Sequence, residues 1–171
     1  KRPRGIGLAP DGSAIYVAVS ADSQIAVIDP TTLEVTGHFP SGDDPEAFAV
    51  HKNGNIYISN ENDAKASVID PHTGKLVTEI EVGIEPEGVA ISPDGTRAIV
   101  TSESTNMLHI IAIPEHTVVN SILVGARPRG ATFSAEVCVC RNGTAVSGSS
   151  IMGLMMLAAG PGADLTIYGH G

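Results

Sequence analysis

Pro86-Glu87-Gly88-Val89-Ala90-Ile91-Ser92-Pro93-Asp94-Gly95 decides how this chain is read, because the same phrase occurs elsewhere in varied form. Pro3-Arg4-Gly5 is followed by Leu8-Ala9-Pro10-Asp11-Gly12, Pro45-Glu46-Ala47 by Val50-His51-Lys52-Asn53-Gly54, and Pro128-Arg129-Gly130 by Thr132-Phe133-Ser134. The leading prolines stand 42, 41 and 42 residues apart. A fixed period of that length is the signature of stacked supersecondary units. After Ser134 the expected Pro-Asp-Gly does not come. One fold therefore need not cover all 171 residues.

Within a repeat the hydrophobic period is two. Gly88–Ser92 predicts a short strand, and Pro93-Asp94-Gly95-Thr96 a turn. Proline sets φ there, aspartate bonds its own backbone, and glycine accepts positive φ. Strands follow at Arg97–Thr101, Met107–Ala112 and Val118–Val124, each bounded by turn residues. The first repeat reads alike through Ala14–Val19, Gln24–Asp29 and Glu34–Phe39, and the second through Asn55–Ser59, Ala66–Asp70 and Lys75–Val82. No helical stripe of useful length precedes residue 135. Four strands in roughly 40 residues make one blade of a β-propeller. The expected fold is mainly β: three four-stranded blades over about 3–44, 45–85 and 86–127, with a fourth beginning at 128.

The repeat resembles the β-propeller family named for its Tyr-Val-Thr-Asn signature. Ile15-Tyr16-Val17-Ala18, Ile56-Tyr57-Ile58-Ser59-Asn60 and Ile99-Val100-Thr101-Ser102 carry what remains of it. Val27-Ile28-Asp29-Pro30, Val68-Ile69-Asp70-Pro71, Val82-Gly83 and Val124-Gly125 carry the other marks, while Ile111-Ala112-Ile113-Pro114 departs by lacking the aspartate. The resemblance covers residues 3–134. Propellers close with about four to eight blades, and stacks need neighbours or caps at their ends. Three blades therefore imply open apolar faces, and self-association through them is the expected partnership.

From Ala135 the language changes. Val137–Cys140 and Thr144–Ser147 flank Asn142-Gly143, a strong hairpin signal. Serine, then Ile151-Met152-Gly153-Leu154-Met155-Met156-Leu157-Ala158-Ala159, then Gly160 predict a short helix. Asp164–Tyr168 predicts a last strand. Residues 135–171 resemble the second half of HPr, the histidine-containing phosphocarrier of the sugar phosphotransferase system. That family carries its phosphate on a histidine at a helix mouth. Here Gly125 stands in that place, in Gly125-Ala126-Arg127-Pro128, so no phosphocarrier activity is expected. The resemblance implies one position, a regulatory serine at Ser150; capping the helix is its plainer role. The tail's strands, with Gly130–Ser134, are candidates to complete a fourth blade.

The formal charge is −9, with 9 basic and 17 acidic side chains before residue 135 and 1 and 2 after it. That balance argues against nucleic acid and anionic membrane as partners. The longest apolar run, Ile151–Ala159, is too short to span a bilayer. No signal peptide is read, and the two resemblances point to different compartments, so localisation stays open. Cys138 and Cys140, two apart on one strand, read as buried small residues rather than a disulfide. Histidines at 38, 51, 72, 109, 116 and 170 form no metal-ligand spacing. Asp29 and Asp70 recur as turn-capping residues do. Asp43-Asp44 and Glu85/Glu87 fall at blade joins, where solvated loop is the favoured reading and a ligand the other. No catalytic, cofactor-binding or metal residue is expected. The chain reads as a non-enzymatic binding or scaffold propeller joined to a phosphocarrier half-domain; a phosphotransfer component is the alternative.

Overall fold

The computed structural model describes residues 2–133, together with the backbone of 136–141, 144–147 and 166–170. Residues 1–132 form one compact unit and 133–171 a second. The first unit contains three antiparallel meanders. They are β1 (Pro3–Leu8), β2 (Ile15–Val19), β3 (Gln24–Ile28) and β4 (Val35–Pro40); β5 (Pro45–Val50), β6 (Ile56–Asn60), β7 (Lys65–Asp70) and β8 (Lys75–Glu81); and β9 (Pro86–Ile91), β10 (Arg97–Ser102), β11 (Met107–Ala112) and β12 (Thr117–Leu123). Each pairs in chain order. Among the described residues the only helix is one 3-10 turn at Ser20–Asp22.

The punctuation residues close the turns as their chemistry dictates. The Ser13, Asn55 and Thr96 amides each donate to the side chain two residues back, Asp11, Asn53 and Asp94, at 2.9 Å. At the next turn the Thr31 amide donates to Asp29 Oδ1 at 2.7 Å and the His72 amide to Asp70 Oδ1 at 2.9 Å. These hydrogen bonds favour the charged form and hold Asp29 and Asp70 below the usual carboxylate range.

Two cross-strand rows repeat in every sheet. In the first they are Ile6–Val17–Ala26–His38 and Leu8–Ile15–Ile28–Val35. In the second they are Phe48–Ile58–Ser67–Glu79 and Val50–Ile56–Ile69–Leu76. In the third they are Val89–Val100–His109–Ser121 and Ile91–Ala98–Ile111–Val118. Each row lies on the face that turns toward the preceding sheet. The second sheet's rows bury Ile56, Ile58 and Ile69 against Ala9, Tyr16, Ala18 and Ile25 of the first. The third sheet's rows bury Ala98, Val100 and Ile111 against Tyr57, Ala66, Val68 and Ile80 of the second. Tyr57 spans its core and reaches His116 Nδ1 at 3.1 Å with its hydroxyl. Burial pushes that hydroxyl up to about 12.

The second unit contains β13 (Glu136–Arg141), β14 (Thr144–Ser147) and β15 (Thr166–His170). Arg141 pairs with Thr144, so the hairpin spans two residues. Residues 130–133 adopt no strand, and the order is β14-β13-β15 rather than a meander. β15 takes the free edge of β13. The last strand also starts later than the expected Asp164. The expected helix over 149–160, with Ser150, lies outside the described residues.

Candidate functional site

The charged residues nearest the start of each inner strand come together. Arg4, Glu46, Glu87 and Arg129 each follow the leading proline of a repeat, and Glu61 and Glu103 follow the second strand of theirs. Sheet stacking turns these distant positions into one row, running Arg4, Glu46, Glu61, Glu87, Glu103, Arg129. At one end Arg4 Nη2 lies 2.9 Å from Glu46 Oε1, without the alignment of a hydrogen bond. Arg2 Nη1 lies 3.9 Å from Asp44 Oδ2, and the Ser20 hydroxyl donates to the same Asp44 carboxylate. At the other end Arg129 Nη2 donates to Glu103 Oε1 at 3.2 Å, with Nε 2.7 Å from Oε2. Arg127 pairs with Glu103 as well.

Gly88 lets that second end close. A Cβ there would meet Gly130 Cα at 2.7 Å and Arg129 O at 2.9 Å. Real Cβ atoms do not come so close to backbone, so any side chain at 88 would push Arg129 away from Glu103.

Two carboxylates of the row are buried, as carboxylates seldom are. Glu46 is 8% exposed and Glu103 3%. Burial lifts Glu46 to about 7; Arg4 opposes the rise, and a hydrogen bond with Glu61 and the charges of Glu61 and Glu87 add to it. Glu87 is raised in the same way, by burial and then by a hydrogen bond with Glu103. Burial pushes Glu103 up too, but Arg129, Glu87 and Arg127 outweigh it and hold it low. The pattern repeats in two consecutive repeats: the carboxyl after the leading proline, Glu46 or Glu87, is pushed up, first by burial and then by its acidic neighbours.

Such an arrangement has three chemical uses. A shared proton suits acid–base work. Three close carboxylates suit a cation, and Asp44, Glu46 and Glu61 offer oxygens within 4.8 Å of one another. Opposite charges between sheets join them. Arg2 and Arg4 already stand against two of the three carboxylates, which favours the last use. The solvated-loop reading of the acidic pairs is thus corrected at Asp44, Glu85 and Glu87, which are half-buried. Asp44 is held by Arg2 and Ser20, and Glu85 accepts from the Ser104 hydroxyl. Asp43 is exposed, as expected.

Of the histidines, His51 and His116 both pack on Tyr57, with ring centroids 6.4 and 5.7 Å from its own. His51 Nε2 meets Gly95 O at 3.0 Å while its Nδ1 accepts from the Asn53 amide at 3.2 Å, tying the second sheet to a turn of the third. His109 Nε2 accepts from the Gly83 amide at 2.9 Å, and Nδ1 meets Ser121 Oγ at 2.9 Å. Its ring is thereby set as the neutral Nδ1–H form, and burial lowers its pKa. A cleft of about 240 Å³ opens at the far end of the first two sheets, lined by Asp11, Tyr16, Lys52, Asn53 and His72 among others. Lys52 there donates to Asp94 O. No described helix is long and apolar enough to cross a membrane.

The family model for the PTS HPr component phosphorylation site matches residues 130–171. No curated protein matches the chain. Among solved structures, hydrazine synthase of Kuenenia stuttgartiensis is similar, with a TM-score of 0.71 and 32% identity. The likeness covers 75% of this chain and 38% of that one, so the chain spans well under half of its structural relative. The three four-stranded sheets are propeller-like blades.

Proposed function

We propose that this chain is a non-enzymatic scaffold: three blades of the Tyr-Val-Thr-Asn type, recombined with an HPr-like half-domain and without inherited catalytic activity. One observation carries this reading. The row of carboxylates is capped at both ends by the chain's own arginines, Arg4 on Glu46 and Arg129 on Glu103. A catalytic carboxyl pair is open to substrate and occurs once; this one recurs at the same place in two repeats and is filled from within. The relative is named as a synthase, but so little of its length is matched that its activity does not transfer on the fold. Fold and chemistry are separable.

A phosphocarrier is the second reading, favoured by the family-model match over 130–171. Gly125 in the histidine's place opposes it. Incubation with phosphoenolpyruvate and the upstream phosphotransferase kinase separates the two. The scaffold reading expects no acid-labile protein phosphate. Stoichiometric uptake, lost on replacing a histidine, would overturn it.

A further inference from the structure

Tyr16 and Tyr57 hold the same place in successive repeats, but their surroundings differ. Two imidazoles pack on Tyr57. The His51 ring meets it edge-on at 6.4 Å, with Nε2 3.0 Å from Gly95 O and Nδ1 accepting from the Asn53 amide at 3.2 Å. The His116 ring lies 5.7 Å away, with Nδ1 3.1 Å from the Tyr57 hydroxyl. At the junction of the first sheet with the second, Ala9 stands in the place of His51 and Gly74 in that of His116. Ala9 and His51 are both buried, at 7% and 5% exposure, so the two positions point alike into their junctions. Where the His51 ring sits beside Tyr57, a cleft of about 240 Å³ opens beside Tyr16, lined by Ala9, Gly54 and His72 among others.

The groups that hold the His51 ring have counterparts at this cleft. Gly54 corresponds to Gly95 and Asp11 to Asn53, and both line it. The turns match in backbone as well. The Gly12 amide donates to Ala9 O at 2.9 Å, as the Gly54 amide donates to His51 O at 2.8 Å. Equal turns present the same carbonyl and the same amide, and the side chain between them is what changes.

We propose that this cleft is a binding site for a small neutral molecule bearing an imidazole ring, seated as the His51 side chain is seated one repeat later. Its ring N–H donates to Gly54 O, its other nitrogen accepts from the Asp11 amide, and its edge rests on Tyr16. The size agrees. At about 30 Å³ for each water, 240 Å³ is room for roughly eight. That is less than the roughly 300–1,000 Å³ of larger ligand sites, which favours one ring with a short substituent. His72 forms a wall, its Nε2 3.2 Å from where a Cβ on Gly54 would sit. This inference goes beyond the scaffold reading and does not depend on it.

Imidazole itself is the probe, titrated into the full chain at about pH 8, where most of it is neutral. Backbone amide resonances in two-dimensional NMR give the readout. The expected result is saturable shifts centred on Asp11 and Gly54, with dissociation in the millimolar range, as befits a single small ring. Ala9→His, which supplies the ring covalently, should abolish them. N-methylimidazole cannot donate to Gly54 O and should bind the wild type at least about fivefold more weakly. That arm needs no variant, so it decides if Ala9→His does not fold. Shifts that never saturate or that scatter over the fold would overturn the proposal. So would undiminished binding in folded Ala9→His, equal binding of N-methylimidazole, or binding that emerges only in His72→Ala.

Discussion

Ile15 and Ile56 are the same residue at the same place in successive repeats, yet one is half-buried and the other has no exposure at all. The contrast runs through both sheets. All five residues of β6 are buried, whereas β2 alternates. Composition does not separate them, because both read as alternating β-branched strands. The neighbour does. Among the described residues the middle sheet has the first sheet on one face and the third on the other, while the first sheet packs on the middle one alone. In a stack of repeats, burial belongs to the interface rather than to the strand.

The largest effect should come from breaking that contrast directly. Ile56→Ala is expected to cost about 2–5 kcal/mol, because the removed methyls leave a cavity between two sheets. Ile15→Ala should cost about 1 kcal/mol or less, since solvent refills the space. Urea titration of both variants measures the difference. Gly88→Ala comes next, at about 1–3 kcal/mol by steric displacement of Arg129 and Gly130. Its signature would be loss of the salt-dependent part of the stability, which the Glu103 pairs supply.

A smaller effect concerns pH at the first-to-second junction. Glu46, raised to about 7 by burial, keeps its proton in the fold while the unfolded chain releases it near the ordinary 4.5. The folded state then binds more protons between those values, so this stabilising contribution is full below about 4.5 and lost as pH rises through 7. Glu46→Gln should remove that slope and stabilise the protein by about 1 kcal/mol at pH 8. His109 acts in the opposite sense. Its lowered pKa means that the unfolded chain takes up a proton first, and stability falls as pH drops below 6.5. Thermal melts from pH 5 to 8 on the wild type and on each single variant separate the two contributions.

The smallest effect lies in a turn. Leu33, Gly74 and His116 occupy one position in the three repeats, at φ of 61°, 67° and 55°. Only glycine holds that conformation without a Cβ penalty. Leu33→Gly should gain about 0.5–1 kcal/mol and Gly74→Leu lose a similar amount. Differential scanning calorimetry resolves both.

The strands and turns were legible because their signals are local: a period of two, closed by Pro-Asp-Gly or its variant within a few residues. The charged row was not. Glu46, Glu61, Glu87 and Glu103 become neighbours only once sheets stack, and each alone reads as a loop carboxylate. The usable signal was the order of charges after each leading proline, Arg4, Glu46, Glu87 and Arg129, which marks one position filled twice by acid and flanked by base. The tail's sheet order was illegible for a related reason. Hairpin chemistry fixes β13 against β14, but nothing local says which edge β15 takes.

Hydrogen exchange, read strand by strand, tests most directly the claim that neighbours set burial. Slowest exchange in β6 and β7, with β2 and β3 distinctly faster, is the predicted result. Equal protection of the first and middle sheets would contradict it.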